Sequence, residues 1–435
     1  MIRARGFGAA LLLGVSASLS ADVPKGVETF DAAWTLVRDT HFDPTFNGVD
    51  WNAVRAEFRP RAESAATVAE LRRVINSMLA RLGQSHFALI PANAGAGGAD
   101  GPASAEGAAV PGFDIRLIED QVLVTSVDRG RGADAAGVRS GWRVTAIGGK
   151  TVADILTTLP KTANERLRGL HAWRLMQSWL RGTAGSNVDV TFEDGKGRPV
   201  RLNISRRSEE GQPVTVGSLP TMYVRVTEAA RTTPGGRTAG MIGFNVWMTA
   251  VDGPFQRAVD RFRSADGIVV DLRGNPGGLA AMIMGISGHF MAERRPLGTM
   301  KTRSNELRFV VNPRTVDASG RPVPVYSGPV AILVDAMSGS ASECFAGGMQ
   351  SVGRVRVFGQ TTMGQALPAL FDKLPNGDVL IHAYGDFVTA DGTRLEGRGV
   401  VPDEPLPLTR TDLLAGRDRS LEAALAWIDA AVKTH

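Results

Sequence analysis

An apolar run at residues 329–334, a turn of small residues from Asp335 to Ser340, and a helix-like stretch at 344–350 constrain this chain most. Ser340 falls at a sharp strand-to-helix junction. Such a junction exposes a hydroxyl beside free backbone N–H groups and the positive end of a helix. An attacked carbonyl needs that combination: a nucleophile, and donors aimed at the developing oxyanion. Ser340-x-x-Glu343 also reads as a capping box, in which the two residues satisfy each other's backbone. One turn can do both.

The junction belongs to an α/β pattern. Between 207 and 435, strand-like runs at 241–244, 267–272, 329–334 and 355–358 alternate with helix-like runs at 254–262, 280–290 and 344–350. This alternation predicts buried parallel strands with helical crossovers. Functional groups then collect at the carboxyl ends of the strands. Two glycine-bearing turns fall there: the Ser340 turn, and Arg273-Gly274-Asn275-Pro276-Gly277-Gly278.

Upstream the periodicity changes. Residues 22–92 read as a helical domain, with Phe30, Trp34 and Val37 on one face and Leu71, Ile75 and Met78 on another. A Gly/Ala-rich linker follows at 93–109. Residues 110–206 alternate short strands with turns, a short helix at 133–138 and a longer one at 163–180. This stretch resembles a PDZ domain of bacterial proteases. The resemblance rests on Gly112-Phe113-Asp114-Ile115, on Gly137-Val138-Arg139-Ser140-Gly141, and on Gly148-Gly149-Lys150. It implies that Gly112, Phe113, Asp114 and Ile115 take a peptide carboxylate and add the peptide as an extra strand.

The chain has 435 residues, 43% hydrophobic and 21% charged, with a formal charge of +5. No basic stretch is interleaved with aromatics, so nucleic acid is not expected as a partner. The single cysteine, Cys344, rules out an internal disulfide framework and reads as a core thiol. Residues 1–20 read as a signal peptide: Arg3 and Arg5, an apolar centre, then Ser18-Leu19-Ser20. The apolar part is short for a membrane span, so an exported protein, periplasmic or secreted, is expected.

A serine nucleophile needs a base and a group that orients it. Among the histidines, His86 follows Ser85 at the close of the helical domain. His171 reads as a surface residue of the long helix, and His289 as core. His41, His382 and His435 have no chemical partner nearby in sequence. A carboxylate stands at Glu396, in the glycine-bearing segment that follows Asp391-Gly392.

The segments Asp271-Leu272-Arg273-Gly274-Asn275-Pro276-Gly277-Gly278 and Ser340-Ala341-Ser342-Glu343 resemble the C-terminal-processing (tail-specific) serine peptidases. One branch of that family uses a Ser–Lys dyad. Here Gln365 stands at the lysine's position, and Lys373 is the nearest lysine. The other branch, similar to the tricorn core protease, takes its base from a Ser-His segment, here Ser85-His86, with a glutamate here at Glu396. The resemblance implies a multidomain α/β fold with a crotonase/ClpP-like peptidase core. It implies Ser340 as nucleophile, His86 as base, Glu396 and Ser85 as orienting groups, and Gly277, Gly278 and Ala341 as the oxyanion hole. Glu343 is a further orienting candidate. Protein or peptide substrates are implied, with neither metal nor organic cofactor. An imidazole base predicts activity that rises through mildly acidic pH. The alternatives are a catalytically weak or inactive protein binding peptides or hydrophobic ligands, or an acyl-transfer enzyme acting on non-peptide esters. Oligomeric state is not readable.

Overall fold

The computed structural model describes residues 26–92, 109–159, 164–217, 219 and 221–432. The signal peptide at 1–20 and nearly all of the 93–109 linker lie outside them. Helices α1 (Gly26–Thr40), α2 (Trp51–Glu63) and α3 (Val68–Ala80) form the N-terminal unit. Asp50 and Thr67 start α2 and α3 by accepting backbone N–H groups one turn in, which satisfies donors that no helix can satisfy itself. Phe30, Trp34, Trp51, Phe58, Leu71 and Ile75 bury against one another. So do Leu374 and Leu380 of the distant peptidase region, which makes the helical unit part of a shared core. The short strand Ala88–Ile90 pairs antiparallel with Val379–Ala383 and stitches the unit in place.

The second unit is an antiparallel sheet of β1 (Phe113–Ile118), β2 (Gln121–Val127), β3 (Arg143–Ile147), β4 (Asn187–Glu193) and β5 (Pro199–Ser205), in that spatial order. β1 lies at its edge. The long helix α4 (Glu165–Leu180) starts at Asn164, whose side chain accepts two N–H groups, and it packs Met176 and Leu180 onto the sheet. The short helix is only Gly132–Ala135, shorter than its apolar run predicts, because glycine at 137 takes a positive φ and turns the chain.

The third unit carries a six-stranded sheet: β6 (Val226–Thr232), β7 (Thr238–Phe244), β8 (Gly267–Asp271), β9 (Val330–Val334), β10 (Arg356–Gly359) and β11 (Glu404–Pro405). Strands β7 to β11 pair in parallel, and β6 joins β7 antiparallel. Helices α5 (Asp252–Arg261), α6 (Met282–Ser287) and α7 (Ala341–Ser351) cover one face, and α8 (Arg419–Val432) covers the other. Ile268, Val270, Val330, Ile332 and Val334 face the first group. Val269, Ala331 and Leu333 face α8. Burial on both faces explains why these strands are continuously apolar. Each valine, leucine or isoleucine among them contributes roughly 1.5–3 kcal/mol relative to exposure. A second, smaller sheet of Pro296–Thr302, Glu306–Val310 and Gly385–Thr389 packs beside α7.

Candidate active site

The carboxyl ends of β8 and β9 lie side by side, and their two turns are latched together. Ser338 Oγ donates to the Leu272 carbonyl at 2.8 Å. Asp335 Oδ1 accepts the Gly274 N–H at 2.9 Å. Gly339 N–H and Ser342 Oγ both donate to the Asn275 carbonyl, at 3.0 and 3.1 Å.

Ser340 follows at the head of α7 with φ 51° and ψ −117°, a region that side-chain-bearing residues rarely occupy. Glu343, fully buried, holds it there. Its Oε2 accepts the N–H of Ser340 and of Gln365, both at 3.0 Å. Its Oε1 accepts the Thr362 hydroxyl at 2.5 Å and the Gly364 N–H at 2.6 Å. Burial pushes the Glu343 pKa up to about 7, against the pull of those four donors. Glu343 thus clamps the serine turn to the 362–365 loop.

Gly277 presses against this turn. A Cβ there would stand 2.6 Å from Ser340 Cβ and 2.9 Å from the Ala341 nitrogen, so only glycine fits. Its own N–H is taken by Asn275 Oδ1 at 3.0 Å. Among the described residues, the N–H groups of Gly278 and Ala341 meet no protein acceptor. Of the three donors read from sequence, these two are open.

His86 reaches the site on the chain that leaves α3. It too has a positive φ, 59°. Ser85 Oγ donates to Glu396 Oε2 at 2.9 Å and lies 2.8 Å from His86 Nδ1. A hydroxyl has one proton. With Glu396 ionised, that proton goes to the carboxylate, so His86 Nδ1 is the donor to Ser85 and Nε2 keeps its lone pair. Glu396 Oε1 accepts the Ser85 N–H at 2.8 Å, and Oε2 accepts the Ala366 N–H at 3.0 Å. Burial raises the Glu396 pKa. Burial lowers that of His86 to about 4, with the Arg174 guanidinium adding to the effect. No hydrogen bond joins Ser340 Oγ to His86. The link runs through the 365–366 backbone: Ser340 N–H donates to the Gln365 carbonyl at 2.9 Å, and the next residue binds Glu396.

Lys373 ends the strand Ala369–Lys373, exposed and opposite Val379. His171 corrects the surface reading. It is half-buried, and its Nδ1 is enclosed without a partner. His41 is buried under the segment that carries His86, with Nε2 2.9 Å from Gln84 Oε1 and its ring stacked on Phe87. His382, buried, bridges Thr40 and Asp372 at 2.8 and 2.7 Å. His289 is buried, and burial holds the Cys344 thiol well above its ordinary pKa. No group of three His, Cys, Asp or Glu side chains among the described residues is placed to hold a metal ion.

Gly112, with φ 87°, opens onto β1, which begins at Phe113. Phe113 and Ile115 point into the β-unit's core. Asp114 faces α4, accepting from Trp173 Nε1 at 2.8 Å and Gln177 Nε2 at 3.3 Å. Sequence reasoning missed how α4 meets the peptidase unit. Arg166 donates to the carbonyls of Thr362, Arg398 and Gly397 at 2.5, 2.8 and 3.0 Å. Leu167 and Leu170 pack with Met337 and Met363, beside the Ser340 turn. The only advance signal was an apolar stripe on α4 wider than one sheet contact requires.

Residues 223–406 match the profile of peptidase family S41, and residues 27–80 match the tricorn protease C1 domain. The match places residues 223–406 with peptidase family S41. The chain is 24% identical over 439 residues to the chloroplastic carboxyl-terminal-processing peptidase 3 of Arabidopsis thaliana, covering 92% of this chain and 76% of that one. It is 24% identical over 383 residues to a carboxyl-terminal-processing protease of Picosynechococcus, covering 86% and 82%. The photosystem II D1 C-terminal processing protease shares its fold, with a TM-score of 0.58, 21% identity, and 93% and 99% coverage. The S41 match over 223–406, together with these relatives, makes the chain a serine peptidase. No helix among its described residues is long and apolar enough to cross a membrane.

Proposed function

We propose that this serine peptidase is exported and cleaves peptide bonds through an acyl-enzyme formed on Ser340. His86 Nε2 takes the serine proton and returns it to the leaving amine. Ser85 and Glu396 keep the imidazole in the tautomer that leaves Nε2 free, and they support the imidazolium that forms during attack. The open N–H groups of Gly278 and Ala341 receive the oxyanion. The 110–206 unit acts as a PDZ-like domain that selects carboxyl-terminal segments of substrates. Its support is the edge position of β1 behind the Gly112 turn.

The observation that carries this reading is the relay from His86 Nδ1 through Ser85 Oγ to Glu396, continued to the backbone that holds Ser340. A core that only binds ligands has no use for a base held in one tautomer. The test is Ser340→Ala. Hydrolysis of an unstructured protein such as casein should be lost while the melting temperature stays near that of the native protein. Activity retained by a folded Ser340→Ala protein removes Ser340 from the mechanism.

A further inference from the structure

Helix α4 belongs to the β-unit, yet one of its faces is turned to the candidate active site. Arg166 binds three carbonyls of the 362 and 397–398 segments. Leu167 and Leu170 pack on Met337 and Met363, which flank Ser340. His171 and Arg174 continue that face one turn further on, at helical spacing. Neither has a hydrogen-bond or ion-pair partner among the described residues. His171 Nδ1 is enclosed and makes no hydrogen bond. No carboxylate and no carbonyl among the described residues pairs with Arg174. Solvent reaches the Arg174 side chain, so a ligand can reach it too. Three other arginines near the unit boundaries are tied: Arg116 to Asp114 and Asp335, Arg273 to Asp271 and Asp418, Arg410 to Glu193. Arg174 stands apart from them. It is near enough to His86 for its charge to act on that imidazole.

An unpaired guanidinium beside a peptidase centre repels cationic substrates and rewards a carboxylate. Arginine's planar fork matches a carboxylate with two parallel bonds, and the His171 imidazole, whose Nε2 is not enclosed, supplies a third donor when it is protonated there.

We propose that Arg174 and His171 form a carboxylate-recognition subsite that selects peptide substrates bearing an acidic group close to the scissile bond. This rests on the reading of Ser340 and His86 as nucleophile and base. The acidic group is either a Glu or Asp side chain or the substrate's own carboxyl terminus. The subsite determines specificity and takes no part in the bond-breaking step.

The experiment uses the full chain and matched peptides: Glu against Gln at positions flanking the cleaved bond, and free acid against amide at the carboxyl terminus. Binding is measured by calorimetry on Ser340→Ala, and kcat/KM on the active protein. Because charge-assisted bonds are strong, the acid-to-neutral ratio should be about tenfold to hundredfold in the native protein. It should fall toward one in Arg174→Gln, recover in part in Arg174→Lys, and invert for Lys-bearing peptides in Arg174→Glu. The peptide pair that shows the ratio identifies the source of the carboxylate. Equal binding of acid and neutral peptides by Ser340→Ala overturns the proposal. So does a ratio that Arg174→Gln leaves unchanged. Selective binding without hydrolysis by the active protein would instead sink the peptidase mechanism and leave the subsite standing.

Discussion

His86 and Ser340 both sit at positive φ, 59° and 51°. Such residues cost on the order of 1–3 kcal/mol each and persist only where surroundings over-determine them. Here the clamps are Glu396 on Ser85 and Glu343 on Ser340. Their protonation gives a pH prediction. The His86 pKa lies near 4, below the ordinary imidazole value, so its neutral form is available well below pH 6.5 and is lost only as pH falls through about 4. Burial and the Arg174 charge disfavour the imidazolium, so its titration is expected below the mildly acidic range that the residue type alone suggests. Glu343, raised to about 7, gains a proton as pH falls through neutrality, and its four donors then face a group with less capacity to accept. The logarithm of kcat/KM should decline in two steps on acidification, near 7 and near 4, and Glu343→Gln should lose the upper step. One step near 6.5 in both proteins would contradict the assignment. At this scale the sequence was informative where a motif carries its own neighbour, as Ser85 does for His86. It was silent on Arg174, because an arginine on an amphipathic helix looks the same whether paired, solvated or waiting for a ligand. It was silent too on Gly277, since the register of a turn decides which N–H its asparagine takes.

Among elements, the β8 and β9 turns act as one piece. Gly277 is the contact between them: its φ is +103°, and a methyl there meets Ser340 Cβ at 2.6 Å. Gly277→Ala should destabilise the fold by more than about 1 kcal/mol, since alanine is strained at such a φ. It should also push the Gly278 N–H off its line, and removing one oxyanion donor costs roughly 10²–10³ in kcat. Thermal melting and kcat on one peptide decide it. A normal kcat would mean that this turn does not shape the hole. The parallel strands β7 to β10 were legible because double-sided burial writes them as apolar runs, whereas β11, only Glu404–Pro405, was not. The antiparallel β6 was not, since its exposed, polar edge residues Glu228 and Arg231 read as loop. The strands Pro296–Thr302 and Glu306–Val310 escaped too: Leu297 and Met300 lie among glycine, threonine and lysine, and Leu307, Phe309 and Val310 beside Glu306 and Arg308.

Across the whole molecule, three units meet at the candidate site, and the contacts that join them were invisible in sequence because their partners lie hundreds of residues apart. Arg166 is the clearest case, bridging the β-unit to the loops that carry Glu343's and Glu396's partners. Arg166→Ala should lower kcat and speed amide exchange at Gly397 to Val400, the segment whose carbonyls it holds. Since bonds to charged groups contribute about 1.5–3 kcal/mol, an effect of at least about tenfold is expected. Unchanged exchange would show that the loops hold themselves. The N-terminal unit has a different consequence. It brings His86 and is docked by the pairing of Ala88–Ile90 with Val379–Ala383, by the Arg72–Asp378 ion pair at 2.7 Å, and by His382 on Thr40. On the proposed mechanism the base and the nucleophile are therefore carried by different units, which meet through a core that they share. A cut between residues 92 and 109 would trade an effective concentration of roughly millimolar for whatever concentration the fragments are mixed at. Turnover per core fragment should then fade on dilution and return on adding the 26–92 fragment in excess, as in a complementation assay. Dilution-proof activity would mean that the dock alone is tight enough to need no tether.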